Sequence, residues 1–172
     1  MSKITSSGSQ NGFSLTEVII ALTILTFILT SGLAAISSNL RTAAFFQNEL
    51  VAINLAQEGL EIARNIRDNA WHSGSSCFED AVKKGTYSLD YNANSISDSF
   101  PGNPFLKIDA SGFFNYSSGT DSIFKRELEI SDIAGIGGPC ANYQKKIVSR
   151  VTWTIRGEVR TFILENYLYD WK

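Results

Sequence analysis

The sequence predicts an α+β fold in which one long N-terminal helix packs against an antiparallel β-sheet. A long run of apolar residues at helical period occupies the N-terminal part of the chain, and short alternating runs separated by loop residues occupy the remainder. The 172 residues fit one domain, or one domain with an appendage. The formal net charge of -2 gives no reason to propose a nucleic acid as the main partner.

The N-terminal segment divides into a polar leader and an apolar run. Residues 1–12 read MSKITSSGSQNG and carry one charge, Lys3. The run Val18–Ile36 contains no charged residue and no proline. As a helix it would span ~28 Å at ~1.5 Å per residue, close to the ~30 Å hydrocarbon core of a bilayer. The pattern therefore predicts a membrane-spanning helix.

Two simple interpretations of this run are a cleaved signal peptide and a plain single-span anchor. Gly32-Leu33-Ala34 offers a small-x-small site for a signal peptidase. However, a signal peptide usually has about 7–15 apolar residues behind a basic segment. The run here is longer, and only Lys3 precedes it as a base.

The junction between leader and run, Gly12-Phe13-Ser14-Leu15-Thr16-Glu17, is explained by neither interpretation. An acid at the centre of a membrane costs about 2.5–3.5 kcal/mol, and less near the interface. Ser14 and Glu17 have the spacing of a capping box at a helix start. A capping box would account for these two residues but not for Gly12 and Phe13.

The sequence GFSLTE, followed at once by an uncharged span, resembles the prepilin cleavage and methylation signature of type IV pilins and type II secretion pseudopilins. The resemblance implies that prepilin peptidase, a membrane aspartyl peptidase, cuts between Gly12 and Phe13 and then N-methylates Phe13. Glu17 matches the acidic fifth residue of the mature chain. In the family this carboxylate is paired with the N-terminal amine of a neighbouring subunit, which implies a role for Glu17 in filament assembly.

The chain departs from the family pattern in two places. Basic residues often sit just before the glycine, whereas Asn11 stands there in this chain. Major pilins often carry a helix-kinking proline near the position of Ala34, and this chain has none there. The missing proline favours a minor subunit over a major one.

The helical pattern continues beyond the apolar run. Residues 37–68 place apolar side chains on one broad face, which predicts one continuous helix from Phe13 to Asp68 with a length of ~84 Å. Gly59 interrupts this pattern, and close approach of a strand or a neighbouring helix would explain it. The stretch LAQEGLEIARNIRDNAW is also similar to a segment of small PilV-like minor pilins.

The C-terminal part, residues 69–172, predicts an antiparallel sheet packed on the helix. Ile147–Arg156 and Glu158–Tyr169 form the clearest hairpin, with its turn around Arg156-Gly157. The other strand candidates are Gly85–Tyr91, Phe105–Ile108, Phe113–Tyr116 and Phe124–Ile133.

Two cysteines, Cys77 and Cys140, suggest a disulfide bridge if the sheet lies outside the cytoplasm, where such bridges persist. A bridge closing this loop would stabilise the domain by ~4 kcal/mol in the chain-entropy model. Two buried free thiols are the alternative.

No catalytic residues, metal ligands or cofactor are predicted. His72 is the single histidine, so no Ser-His-Asp or Cys-His set can be built without it, and it is better explained as a surface or helix-end residue. Gly135-x-Gly137-Gly138 lacks the Lys-Ser/Thr of a phosphate-binding loop. The sequence predicts that the chain is not an enzyme.

The sequence thus predicts four segments: a leader (1–12), the transmembrane or filament-core half of the helix (13–36), its amphipathic half (37–68) and a β head domain (69–172). The resemblance implies a structural subunit, a minor one, of a type IV pilus or pseudopilus in the inner membrane, with an extracytoplasmic head. Its partners would be other pilin or pseudopilin subunits through the N-terminal helix, prepilin peptidase and an inner-membrane assembly platform. The alternatives are a membrane-anchored binding or adhesin module that does not polymerise, and an exported protein whose span is discarded.

Overall fold

Helix α1 (Leu15–His72) is continuous, and it begins two residues after the predicted start and ends four residues after the predicted end. The structure, a computed structural model, describes residues 12–74, 81–133 and 144–169. The chain forms two units, the first ending at Phe46 and the second formed by residues 47–172. The strands are β1 (Gly85–Tyr87), β2 (Phe105–Ile108), β3 (Phe114–Asn115), β4 (Thr120–Ile133), β5 (Gln144–Ile155) and β6 (Glu158–Tyr169), with a 3-10 helix (Ile96–Asp98) between β1 and β2.

The six strands form one antiparallel sheet that packs on α1, which confirms the predicted α+β class. The strand order is β3-β2-β4-β5-β6. Strand β1 also pairs with β4, on the edge that β2 uses. The residues of β1 oppose Leu128–Ile130, whereas β2 opposes Thr120–Lys125, so that one edge of β4 is shared by two short strands.

The β5–β6 hairpin has the turn that the sequence predicts. Ile155 pairs with Glu158, which leaves Arg156 and Gly157 as a two-residue loop. Both have positive φ, 53° and 85°, as a type I′ turn requires. The twist of a type I′ turn matches the twist of the strands that it joins, so β5 and β6 stay paired over their whole length.

A polar seam divides the core between α1 and the sheet into two apolar clusters. The seam consists of Gly59 on α1, Arg126 on β4 and Ser149 on β5, all buried. One cluster contains Leu60, Ile62, Ala63, Ile66, Trp71, Val82, Leu89, Ala93, Leu128, Ile130, Ile147 and Leu168. The other contains Ala52, Leu55, Ala56, Leu106, Tyr116, Phe124, Val151 and Trp153.

Gly59 is required by a close approach of the sheet. A Cβ atom at this position would lie 2.5 Å from the Ser149 Oγ and 2.8 Å from a Leu128 methyl carbon. Approach of a strand, one of the two explanations that the sequence allows, is therefore the one that the structure supports.

Tyr116, which follows β3, is hydrogen-bonded to Arg126 of the seam. Its hydroxyl donates a hydrogen bond to the Arg126 carbonyl oxygen at 2.8 Å. Burial raises the pKa of the Tyr116 phenol, although the nearby Arg126 guanidinium opposes this shift. The phenol therefore remains protonated, and able to donate, through the neutral pH range.

Candidate functional site: the start of the N-terminal helix

The described residues before α1, 12–14, lie outside any helix or strand and are open to solvent. Gly12 has no helical or strand conformation, and a Cβ placed on it would have no atom within 4 Å. Phe13 is 84% exposed. A protease that needs an extended substrate therefore meets no steric obstruction from the described residues at the Gly12–Phe13 bond.

Ser14 starts the helix through its backbone. Its carbonyl oxygen accepts hydrogen bonds from the Glu17 and Val18 N–H groups at 3.0 and 3.2 Å. Its hydroxyl lies 2.8 Å from the Thr16 hydroxyl. The capping box between Ser14 and Glu17 is therefore not formed among the described residues.

Glu17 lies on an apolar surface. With Phe13 it lines a shallow cleft of about 380 Å³, whose remaining lining is aliphatic: Val18, Ala21, Leu22 and Leu25. Within residues 12–74, 81–133 and 144–169, no hydrogen bond or ion pair is formed by the Glu17 carboxylate. A partner for this charge has to come from outside the described part of the chain, from water or from another molecule.

The span that follows has hydroxyl side chains, and each of these donates to a carbonyl oxygen of the preceding turn. Thr23 donates to Ile20 at 2.8 Å, and Thr26 donates to Thr23 at 2.9 Å. Thr30 and Ser31 bond in the same way. Every residue from 12 to 44 is exposed in the isolated chain. By length and composition, α1 contains the single candidate membrane span among the described residues.

The structure thus brings three of the predicted site residues, Gly12, Phe13 and Glu17, to the start of one helix. Cys77 and Cys140 lie outside the described residues. His72 is the last residue of α1 and is exposed. No group of three or more potential metal-binding side chains occurs within the described ranges. The sequence analysis did not identify the fully buried Arg126, which falls at an apolar position of the β4 alternation.

The comparison with known families matches the same segment. The family model described as "Prokaryotic N-terminal methylation motif" matches residues 8–33. No curated protein and no solved structure gives a significant match.

The matched motif is the signature of type IV pilins and pseudopilins, which are structural subunits and not enzymes. The chain therefore carries a prepilin-type N-terminus, and the resemblance seen in the sequence is confirmed. The motif and the apolar helix together indicate a pilin-like, membrane-anchored N-terminal segment. In proteins that carry this motif it implies processing by prepilin peptidase and assembly with other pilin subunits.

Proposed function

We propose that this protein is a minor structural subunit of a type IV pilus or of a type II secretion pseudopilus. Prepilin peptidase cuts it between Gly12 and Phe13 and N-methylates Phe13. The observation that carries this proposal is the methylation motif at residues 8–33, followed directly by an uncharged helix. The open geometry around Gly12 supports it, since the bond to be cut is accessible.

The leader stays in the cytoplasm, and the second unit lies outside the inner membrane. A bridge between Cys77 and Cys140 is part of this proposal. The described residues that flank the two cysteine segments support the bridge: Gly85, the first residue of β1, opposes Ile130, and β4 ends three residues later at Ile133. The chain therefore enters β1 and leaves β4 at the same end of the sheet.

The intact mass and N-terminal sequence of the protein from native membranes, under non-reducing conditions, test the proposal. We expect a chain that starts at Phe13, one methyl group heavier than the bare peptide and two hydrogen atoms lighter because of the bridge. A Gly12→Val variant is the matched control. It should keep the leader, and its fold should be unchanged because nothing lies within 4 Å of an added Cβ.

The other outcomes identify the alternatives. A chain that starts at Met1 would be a plain anchored binding module. A chain that starts near Ala35 would have lost its span to signal peptidase, and the filament proposal would fail.

Glu17 is proposed to direct assembly by pairing with the N-terminal amine of a neighbouring subunit. Opposite charges attract strongly in a medium of low dielectric constant, and each is costly there without its partner. The unpaired Glu17 carboxylate on an apolar surface supports this role. Registers of the helices that leave the carboxylate and the amine apart would be disfavoured.

Replacing Glu17 with alanine should leave membrane insertion intact and lower the amount of protein in sheared filaments by more than about tenfold, since a buried charge without its partner costs about 3–5 kcal/mol. Glu17→Gln should show a similar loss, because the amide lacks the charge. Glu49→Ala, on the same helix outside the motif, is the control and should assemble normally. Normal incorporation of Glu17→Ala would count against the pairing role.

A further inference from the structure

The second unit contains a pocket that neither processing nor the proposed filament contact uses. The pocket has a volume of about 350 Å³ and lies between α1 and the turn that joins β2 to β3. One carboxylate, three aromatic rings and a glycine line it: Glu58, Tyr91, Phe113, Phe114 and Gly112. Its volume is within the range of small-molecule sites, about 300–1,000 Å³.

Two of the rings form an exposed aromatic face. Tyr91 and Phe113 stack with their centroids 6.2 Å apart and their planes at 26°. They are 50% and 61% exposed. Phe114 packs edge-on against Phe124 of the core, with centroids 5.9 Å apart. The pocket therefore joins a solvent-facing aromatic pair to a ring that is anchored in the core.

Carboxylates hold the backbone beneath both exposed rings. Asp109 Oδ1 accepts hydrogen bonds from the N–H groups of Ser111 and Phe113, at 2.8 and 3.0 Å. Asp90 Oδ1 accepts from the Tyr91 N–H at 2.9 Å. The rings are thus positioned without a ligand, and a ligand would not have to order the loops that carry them.

The charge around the pocket is negative. The Glu58 side chain is 34% exposed and lies 3.3 Å from the Arg126 guanidinium, whose side chain is fully buried and cannot reach a ligand. Glu58 therefore lines the pocket, and two further acids, Asp90 and Asp109, bind the backbone that carries its exposed rings. The face of an aromatic ring carries a negative quadrupole, so exposed rings favour a cation as well. Both features attract a cation and repel an anion.

We propose that this pocket binds a quaternary ammonium group. Aromatic faces with a nearby carboxylate attract such a cation by cation–π and Coulomb interactions. A bare lysine ammonium is strongly hydrated and would lose more on entering a pocket lined mainly by rings. The ligand class is therefore a trimethylammonium group, as found in choline and in trimethylated lysine.

Titration of the full-length protein in an uncharged maltoside detergent tests the proposal. Binding of choline and of its neutral isostere 3,3-dimethyl-1-butanol is measured by calorimetry and by saturation-transfer NMR. We expect choline to bind about five to ten times more tightly, because the two ligands differ only in charge. Equal affinity, or no saturable binding at millimolar choline, would overturn the proposal.

Variants locate the site. Phe113→Leu should weaken choline binding about fivefold, and the thermal unfolding of the protein should be unchanged because the ring is mostly exposed. Tyr167→Leu, at a tyrosine 44% exposed on β6, is the matched control and should bind as the parent does. If Phe113→Leu and Tyr167→Leu bind choline with the same affinity, the pocket is not the binding site and the inference fails.

A second arm distinguishes the source of the cation. N-trimethyl-lysine amide and glycerophosphocholine carry the same trimethylammonium group, but only the second carries a phosphate. The surplus of acids predicts tighter binding of the lysine derivative, and that result supports a protein ligand. Tighter binding of glycerophosphocholine supports a headgroup ligand, and either ranking supports the quaternary ammonium assignment.

Discussion

Replacing Arg126 with alanine is expected to lower the free energy of unfolding of the second unit by about 3–4 kcal/mol. The Arg126 side chain is fully buried, and its guanidinium donates to the Leu89 carbonyl oxygen at 2.7 Å and to that of Leu55 at 3.4 Å. It also pairs with Glu58 at 3.3 Å. Truncation would leave two buried carbonyl groups without this donor and a cavity between the two apolar clusters.

Arg126→Met separates the two contributions to this loss. Methionine fills most of the volume but cannot donate a hydrogen bond, so we expect a smaller cost of about 1–2 kcal/mol. Urea unfolding of the full chain in detergent, followed by tryptophan fluorescence, measures both variants because Trp71 and Trp153 are buried in the second unit. If alanine and methionine cost the same, the cavity contributes nothing. If neither changes stability, the seam does not support the fold.

Gly59→Val is expected to destabilise the same unit by about 3 kcal/mol, although most residues are better helix formers than glycine. The added Cβ would lie 2.5 Å from the Ser149 Oγ, 2.8 Å from a Leu128 methyl carbon and 3.2 Å from the Arg126 Cδ. These atoms belong to buried side chains on two strands, so relief requires those side chains to rotate within the packed core or α1 to move away from the sheet.

A smaller substitution, Gly59→Ala, tests the same contact between α1 and the sheet by whether it raises or lowers stability. In an unhindered helix, Gly→Ala stabilises by about 1 kcal/mol. Gly59→Ala should instead destabilise the second unit in the urea titration. Gly32→Ala, on the same helix with nothing within 4 Å of its Cβ, should leave that unfolding transition unchanged. A stabilising effect of Gly59→Ala would show that the sheet does not constrain this position.

Local chemistry explains which strands could be predicted from the sequence. The bounds of β2 and β6 agree with prediction, because turn residues lie on both sides of β2 and the Arg156-Gly157 turn precedes β6. Strand β1 ends at Tyr87 and not at Tyr91, since the Ser88 N–H bonds to the Ser99 hydroxyl instead of continuing the ladder. That hydrogen bond joins residues eleven positions apart, and the alternation of apolar residues does not predict it.

The start of β4 and the burial of Arg126 also depend on contacts between residues that are distant in sequence. β4 begins at Thr120 rather than at Phe124, because its first residues pair with β2 despite their loop-like composition. Arg126 shares its face with Phe124 and Leu128, and an arginine at an apolar position is a signal that could have been noticed. Its partners, Leu55 and Glu58 on α1 and Leu89 after β1, come from two parts of the chain that are distant from β4 in sequence.

The candidate processing site was predictable because it is a linear motif. Gly12, Phe13 and Glu17 are identified by order and spacing, which a protease can read on an extended segment. The capping box that would also explain Ser14 and Glu17 is not formed, because the Ser14 hydroxyl is hydrogen-bonded to the Thr16 hydroxyl instead. The role proposed for Glu17 would depend on a second subunit, and a single chain does not contain contacts of that kind.

The hydroxyl groups of the apolar span have a consequence for recycling. Each hydroxyl donates to a carbonyl oxygen of its own helix, so these groups keep their hydrogen bonds when the span leaves the lipid. Lipid tails are as apolar as leucine side chains. In the filament proposed above, these hydroxyl groups would therefore not oppose transfer of the helix between bilayer and filament, whereas the Glu17 charge would respond to the change of environment. A subunit of that kind could return intact to the bilayer if its filament retracts.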